Sequence, residues 1–176
     1  MIIVLGLILT RNLRPESTPI YELSNSVVLT NDGIATNADL TGQNLAEVEL
    51  IATSGEMIST NTFRGMPTII NIWYSTCEPC RREMPILAAS AEKYQKEVRF
   101  IGINIKDTAE VTTQFAEKYG VKFKMMLDTN GRFISASKIS TAPVTLAISA
   151  EGIIINQVAG EISASKLEAI VKELLK

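Results

Sequence analysis

Two cysteines three positions apart, between a β-branched apolar run and an amphipathic one, constrain this chain more than any other feature. The stretch Trp73-Tyr74-Ser75-Thr76-Cys77-Glu78-Pro79-Cys80-Arg81-Arg82-Glu83-Met84-Pro85 holds both cysteines and the one tryptophan. Before it, Thr68-Ile69-Ile70-Asn71-Ile72-Trp73-Tyr74 reads as a short buried strand. After it, Cys80, Met84, Leu87, Ala88 and Ala91 recur at helical spacing and define one buried face. The thiols therefore stand where a strand hands over to a helix. There, unpaired backbone N–H groups and the positive end of the helix dipole stabilise a thiolate, the reactive form. Cys77, at the helix start, is expected as an exposed nucleophile, and Cys80, one turn in on the apolar face, as the resolving thiol. A structural disulfide and a metal site are the competing readings of the pair; its place at a strand-to-helix turn favours redox chemistry.

Composition narrows the chemistry by what it lacks. The 176 residues include no histidine. Ser-His and Cys-His nucleophile pairs and Cys/His zinc sites are therefore excluded. Two thiols are too few for a four-thiolate zinc site, so no metal site is expected, and the redox group is the Cys77–Cys80 pair itself, with no other cofactor. A net charge of −2 gives no sign of a nucleic-acid surface.

The first residues, Met1 to Leu9, are apolar, and Thr10 and Arg11 end the run. Nine helical residues span about 14 Å against roughly 30 Å of hydrocarbon. We therefore expect 1–10 to be the end of a membrane anchor or a signal remnant; a frayed terminus or a buried strand is the alternative. Residues 11–41 are polar and turn-rich and read as a linker, with Val27-Val28-Leu29 a weak edge-strand candidate. Residues 42–176 carry the globular pattern. Leu45 to Ile51 and Met57-Ile58 flank a Ser54-Gly55 turn as a hairpin, and 61–67 reads as a loop. The strand at 68–74 and a helix over about 78–96 follow, with Pro85 inside the helix. Next come a strand at 98–105, a helix facing inward through Val111, Phe115 and Tyr119, a strand at 123–127 and a weak helix at 132–138. Val144 to Ile148 and Ile153 to Val158 read as an antiparallel hairpin, and Ala164, Leu167, Ile170, Val171 and Leu174 as a last amphipathic helix. The order predicts an α/β fold, a mixed central sheet with helices on both faces.

Trp-x-x-x-Cys-x-x-Cys after a strand, with Pro85 five residues past Cys80, resembles the thioredoxin superfamily. Cys77-Glu78-Pro79-Cys80 followed by Arg81-Arg82-Glu83 resembles its extracytoplasmic TlpA/ResA-like branch of thiol-disulfide oxidoreductases. The resemblance runs from about Gly42 to Lys176 and implies a thioredoxin-like fold with an N-terminal β-hairpin and a central helix-strand insertion at about 109–127. One departure is Thr76, where the family usually has tryptophan.

The resemblance also implies roles. Thr141-Ala142-Pro143 resembles the family's cis-proline segment, so Pro143 is expected cis beside the disulfide, with Ala142 offering backbone groups to a bound peptide. Trp73, Glu78 and Pro79 complete the expected substrate-binding set, although for Trp73 packing is the favoured reading. Glu78 should press negative charge on the thiolates and favour the disulfide. Glu83 lies about 60° off the centre of Cys80's helix face and one turn beyond it. An acidic residue there recurs in the branch, and Asn71 stands where thioredoxin carries a buried aspartate, so Glu83 is the expected proton-exchanging group.

The implied activity is reduction of specific protein disulfides, as in cytochrome c maturation. It would act on the extracytoplasmic face of a bacterial membrane, anchored by the N-terminus or secreted, and be recharged by a membrane or extracytoplasmic thiol donor. A peroxiredoxin-like peroxidase shares the fold but needs threonine or serine three residues before its cysteine, where this chain has Tyr74. A copper-delivery protein of this fold uses C-x-x-x-C and a distant histidine, and this chain has neither.

Overall fold

The structure is a computed structural model that describes residues 36–176. The apolar segment 1–10, the Val27–Leu29 strand candidate and most of the 11–41 stretch lie outside the described residues.

A seven-stranded mixed sheet forms the centre, in the order β2-β1-β5-β4-β3-β6-β7. The strands are β1 (Glu49–Ala52), β2 (Met57–Ser59), β3 (Thr68–Trp73), β4 (Arg99–Asn104), β5 (Lys124–Leu127), β6 (Val144–Ile148) and β7 (Ile154–Ala159). β3, β4 and β5 run parallel, while β6, β7 and the β1–β2 hairpin are antiparallel to their neighbours. The helices are α1 (Glu78–Lys93), α2 (Ala109–Lys118), α3 (Arg132–Ala136) and α4 (Ala164–Leu174). The helix-strand insertion is α2 and β5, and the segment read as a loop contains a 3₁₀ turn at Thr60–Phe63.

Every residue of β3 is buried, so its alternation serves two cores. Ile69 and Trp73 meet Cys80, Met84 and Leu87 of α1, Phe115 of α2 and Leu167, Ile170 and Val171 of α4. Ile70 and Ile72 face the other way, toward Phe63, Phe133, Leu146 and Leu40. Asn71 shares the face of Ile69 and Trp73, which aims its polar side chain under α1.

Two expectations are corrected. Val111 is exposed rather than on the inward face of α2; Thr112 and Phe115 are buried instead, because the helix turns its i, i+3 pair to the sheet. The polar stretch read as reaching residue 41 is already docked at its end. Leu40 is 5% exposed and joins the second core. Ala38 N–H donates to Lys138 O (3.1 Å), Gly42 N–H to Ile154 O (2.8 Å) and Ile154 N–H to Gln43 O (2.9 Å). The Gln157 side chain accepts from Leu40 N–H and donates to Ala38 O. Residues 38–43 thus run along β7 as a bound arm.

Candidate active site

β3 ends at Trp73, and four residues later the chain enters α1 with Cys77 as its N-cap. The Cys77 sulfur accepts the Cys80 N–H at 3.3 Å, the position of a capping oxygen in other helices. Cys77 and Cys80 are joined as a disulfide. Cys80 has no exposure and Cys77 only 4%, so Cys77 is buried in the disulfide form rather than exposed as expected. Pro79 sits in the first helical turn, where no N–H is needed.

The approach to Cys77 is held by side chains that sequence reading missed. Asp107 accepts from Ser75 N–H (2.7 Å), Ser75 Oγ–H (2.8 Å) and the Asn104 side-chain amide (2.7 Å). Asn104 Oδ1 in turn accepts from Lys106 and Asp107 N–H. The β4–α2 loop therefore grips the β3–α1 loop two residues ahead of the nucleophile. The signal was faint: a polar Asn-x-x-Asp at the end of an apolar strand.

Trp73 corrects the substrate-binding set. It is wholly buried, with its ring 4.3 Å from Phe115, which stacks in turn 4.4 Å from Tyr119. A side chain without exposure packs the site and cannot meet a substrate. Glu78 is exposed, but its carboxylate pairs with Arg81 at 3.2 Å and Arg82 at 3.8 Å. Its charge is shared with two cations and solvent, so its expected pressure on the thiolates is largely offset. Arg82 also binds Glu161, and Arg81 donates to the Tyr119 hydroxyl.

Glu83 is more buried than its place on the helix flank suggested, with no exposure at all. Asn71 Nδ2 donates to one carboxylate oxygen at 2.7 Å, and the Ile162 N–H to the other at 2.8 Å. Burial pushes its pKa up to about 7, against the lowering pull of these two bonds, and the Glu161 carboxylate adds a further upward push. The same Asn71 amide nitrogen also reaches Thr145 Oγ1 at 3.2 Å. Asn71 Oδ1 is buried without a protein partner among the described residues.

The Ala142–Pro143 peptide bond is cis. Ala142 packs against the cluster that contains Cys77, Cys80 and Trp73, and Pro143 O accepts the Gly160 N–H at 2.8 Å. Gly160 and Ile162 belong to one loop, so that loop touches both the cis-proline segment and Glu83.

A protein-family model described as the AhpC/TSA family matches residues 41–157. The thiol-disulfide oxidoreductase ResA of Bacillus subtilis (strain 168) is 26% identical over 148 residues, which are 84% of this chain and 80% of ResA. ResA of Halalkalibacterium halodurans is 28% identical over 123 residues, 69% of each chain. Two solved structures share the fold. A secreted Mycobacterium tuberculosis disulfide oxidoreductase homologous to E. coli DsbE has a TM-score of 0.67 at 22% identity, covering 72% of this chain and 96% of its own. StoA from Bacillus subtilis has a TM-score of 0.62 at 24% identity, covering 72% and 97%.

Proposed function

The chain belongs to the AhpC/TSA family, and from that premise we propose that it is a thiol-disulfide oxidoreductase that reduces specific protein disulfides outside the cytoplasm. The observation that carries this reading is the Cys77–Cys80 disulfide at the N-terminus of α1, with the less buried sulfur first.

In the reduced protein the Cys77 thiolate attacks one sulfur of a substrate disulfide. The substrate S–S bond breaks, a mixed disulfide forms on Cys77, and the other substrate sulfur leaves as a thiolate that takes up a proton. The Cys80 thiolate then attacks the Cys77 sulfur, closes the internal disulfide and releases the second substrate thiol. Two electrons pass to the substrate, and an extracytoplasmic or membrane thiol donor returns the pair to the dithiol. The pair itself is the redox group, and no metal or organic cofactor is needed.

Glu83 manages protons in this scheme. A carboxyl group titrating near neutrality, one helical turn from Cys80, can take the Cys80 proton and return it. Asn71 suits both of its charge states: the amide donates to the carboxylate, and its unpartnered oxygen, turned over, accepts from the acid. The ionised form also disfavours thiolates nearby, which favours the disulfide and makes the protein a reductant. With Glu78 neutralised by arginines, the reducing character rests on Glu83. Glu78, Pro79 and Ala142 form the rim that meets the substrate, and the buried cis Pro143 follows Ala142 directly.

The extracytoplasmic setting and a role such as cytochrome c maturation rest on the resemblance to the TlpA/ResA-like branch, while the relatives named thiol-disulfide oxidoreductase ResA support the disulfide chemistry. Among the described residues no helix is long and apolar enough to cross a membrane, so the proposed tether rests on residues 1–10. A redox titration against dithiothreitol or glutathione tests the assignment. We expect a potential of about −200 to −280 mV; a value near that of a strong oxidant removes the reductant role. Consumption of peroxide in preference to insulin disulfides would return the peroxidase reading.

A further inference from the structure

Residues 137–139 close off α3 through bonds to its carbonyls, but Ser140 and Thr141, just ahead of Ala142 and Pro143, are held by Asn37, the residue before the arm. The chain leaves α3, turns through Lys138 at a left-handed φ of 49°, and reaches Ser140 and Thr141. Ser140 N–H and Thr141 N–H both donate to Asn37 Oδ1, at 2.7 and 2.9 Å. Asn37 Nδ2 donates to Thr141 Oγ1 at 2.8 Å. Among the described residues neither backbone N–H has another protein acceptor. One side-chain amide thus fixes two consecutive peptide groups. On the far side, Pro143 O is fixed by Gly160 N–H. Between these points, Ala142 N–H and C=O take no protein partner among the described residues, and Ala142 lies against the cluster that holds Cys77 and Cys80.

We propose that Asn37 is a positioning residue for protein substrates: it sets the orientation of the Thr141–Ala142 peptide with which an extended segment flanking the substrate disulfide pairs. The inference rests on the reading of the chain as a reductant of protein disulfides. Main-chain pairing of this kind supplies affinity with little demand on sequence, and its strength depends on the receiving peptide being held in place. A small organic disulfide has no flanking main chain and gains nothing from the arrangement.

The test uses the full chain as wild type, Asn37→Ala and Asn37→Asp, each kept reduced by dithiothreitol. Turnover is measured with a disulfide-bonded peptide and with a small aromatic disulfide. Asn37→Ala should raise KM for the peptide about five- to tenfold, with kcat changed by less than about twofold, and so lower the peptide-to-small-disulfide ratio of kcat/KM by the same factor. Asn37→Asp keeps acceptor oxygens for both N–H groups and should restore KM. The inference is overturned if the ratio in Asn37→Ala stays at the wild-type value, if kcat rather than KM carries the loss, or if Asn37→Asp behaves like Asn37→Ala. A wild-type protein that reduces neither disulfide overturns the functional reading, and the inference with it.

Discussion

The Glu83 carboxylate and the Asn71 side-chain amide meet at 2.7 Å in a site closed to solvent. Because burial raises the Glu83 pKa from 4.5 to about 7, the folded protein holds a proton there that the unfolded chain has released. Its contribution is fully present below about pH 4.5 and is lost as pH rises through 7. The loss amounts to roughly 3 kcal/mol. Wild type should therefore lose about 2–3 kcal/mol more than Glu83→Gln between pH 4.5 and 8, read from urea midpoints. Parallel curves for the two proteins would mean that Glu83 does not titrate in this window.

The same substitution removes a negative charge one turn from Cys80. Glu83→Gln should lower the apparent pKa of Cys77 and slow exchange near neutral pH. Thiolate absorbance against pH decides the first point, and superimposable titrations would confine Glu83 to a structural role.

Cys77→Ser should abolish disulfide reduction, while Cys80→Ser should leave the attack intact and accumulate a mixed disulfide with substrate. Faster alkylation of Cys80 than of Cys77 in the reduced protein would reverse the two roles.

Asp107→Ala removes three bonds that fix the Ser75 approach to the nucleophile. We expect a stability loss of about 2 kcal/mol and slower reaction of Cys77 with every disulfide, small or large. Asp107→Asn should recover part of both. Thermal melts alongside alkylation rates separate loss of fold from loss of alignment.

Gly102→Ala would bring a methyl group inside the envelope of Met125 Sδ and to 3.0 Å from Trp73 Nε1. Both neighbours are buried, so the cost should be about 1–3 kcal/mol, visible as a lowered melting temperature. An unchanged melt would show that Met125 has room to move aside.

The frame was legible wherever one strand or helix carried its own pattern. Thr68 to Trp73, the α1 face and the β6–β7 hairpin all stand within a residue or two of where period and turn residues put them. The site was legible only in part, because its partners are remote in sequence. Glu83 finds Asn71 twelve residues back and Ile162 seventy-nine ahead, and no local pattern announces either. Asn37 reaches Ser140 and Thr141 across more than a hundred residues. A polar, turn-rich composition marks a stretch that lacks a core of its own; it does not reveal that the stretch can borrow one, as Leu40 does.

The bound arm along β7 has a further consequence. β7 is the terminal strand of the sheet, and residues 42–43 take up the hydrogen-bonding groups of Ile154 on its outer side. Open rims of this kind invite a second chain to pair. A chain trimmed through Gln43 would expose that rim along with the Leu40 pocket, and copies should then associate edge to edge. With the backbone groups of Ile154 already paired to residues 42–43 of the same chain, this end of the rim is closed to a neighbouring copy.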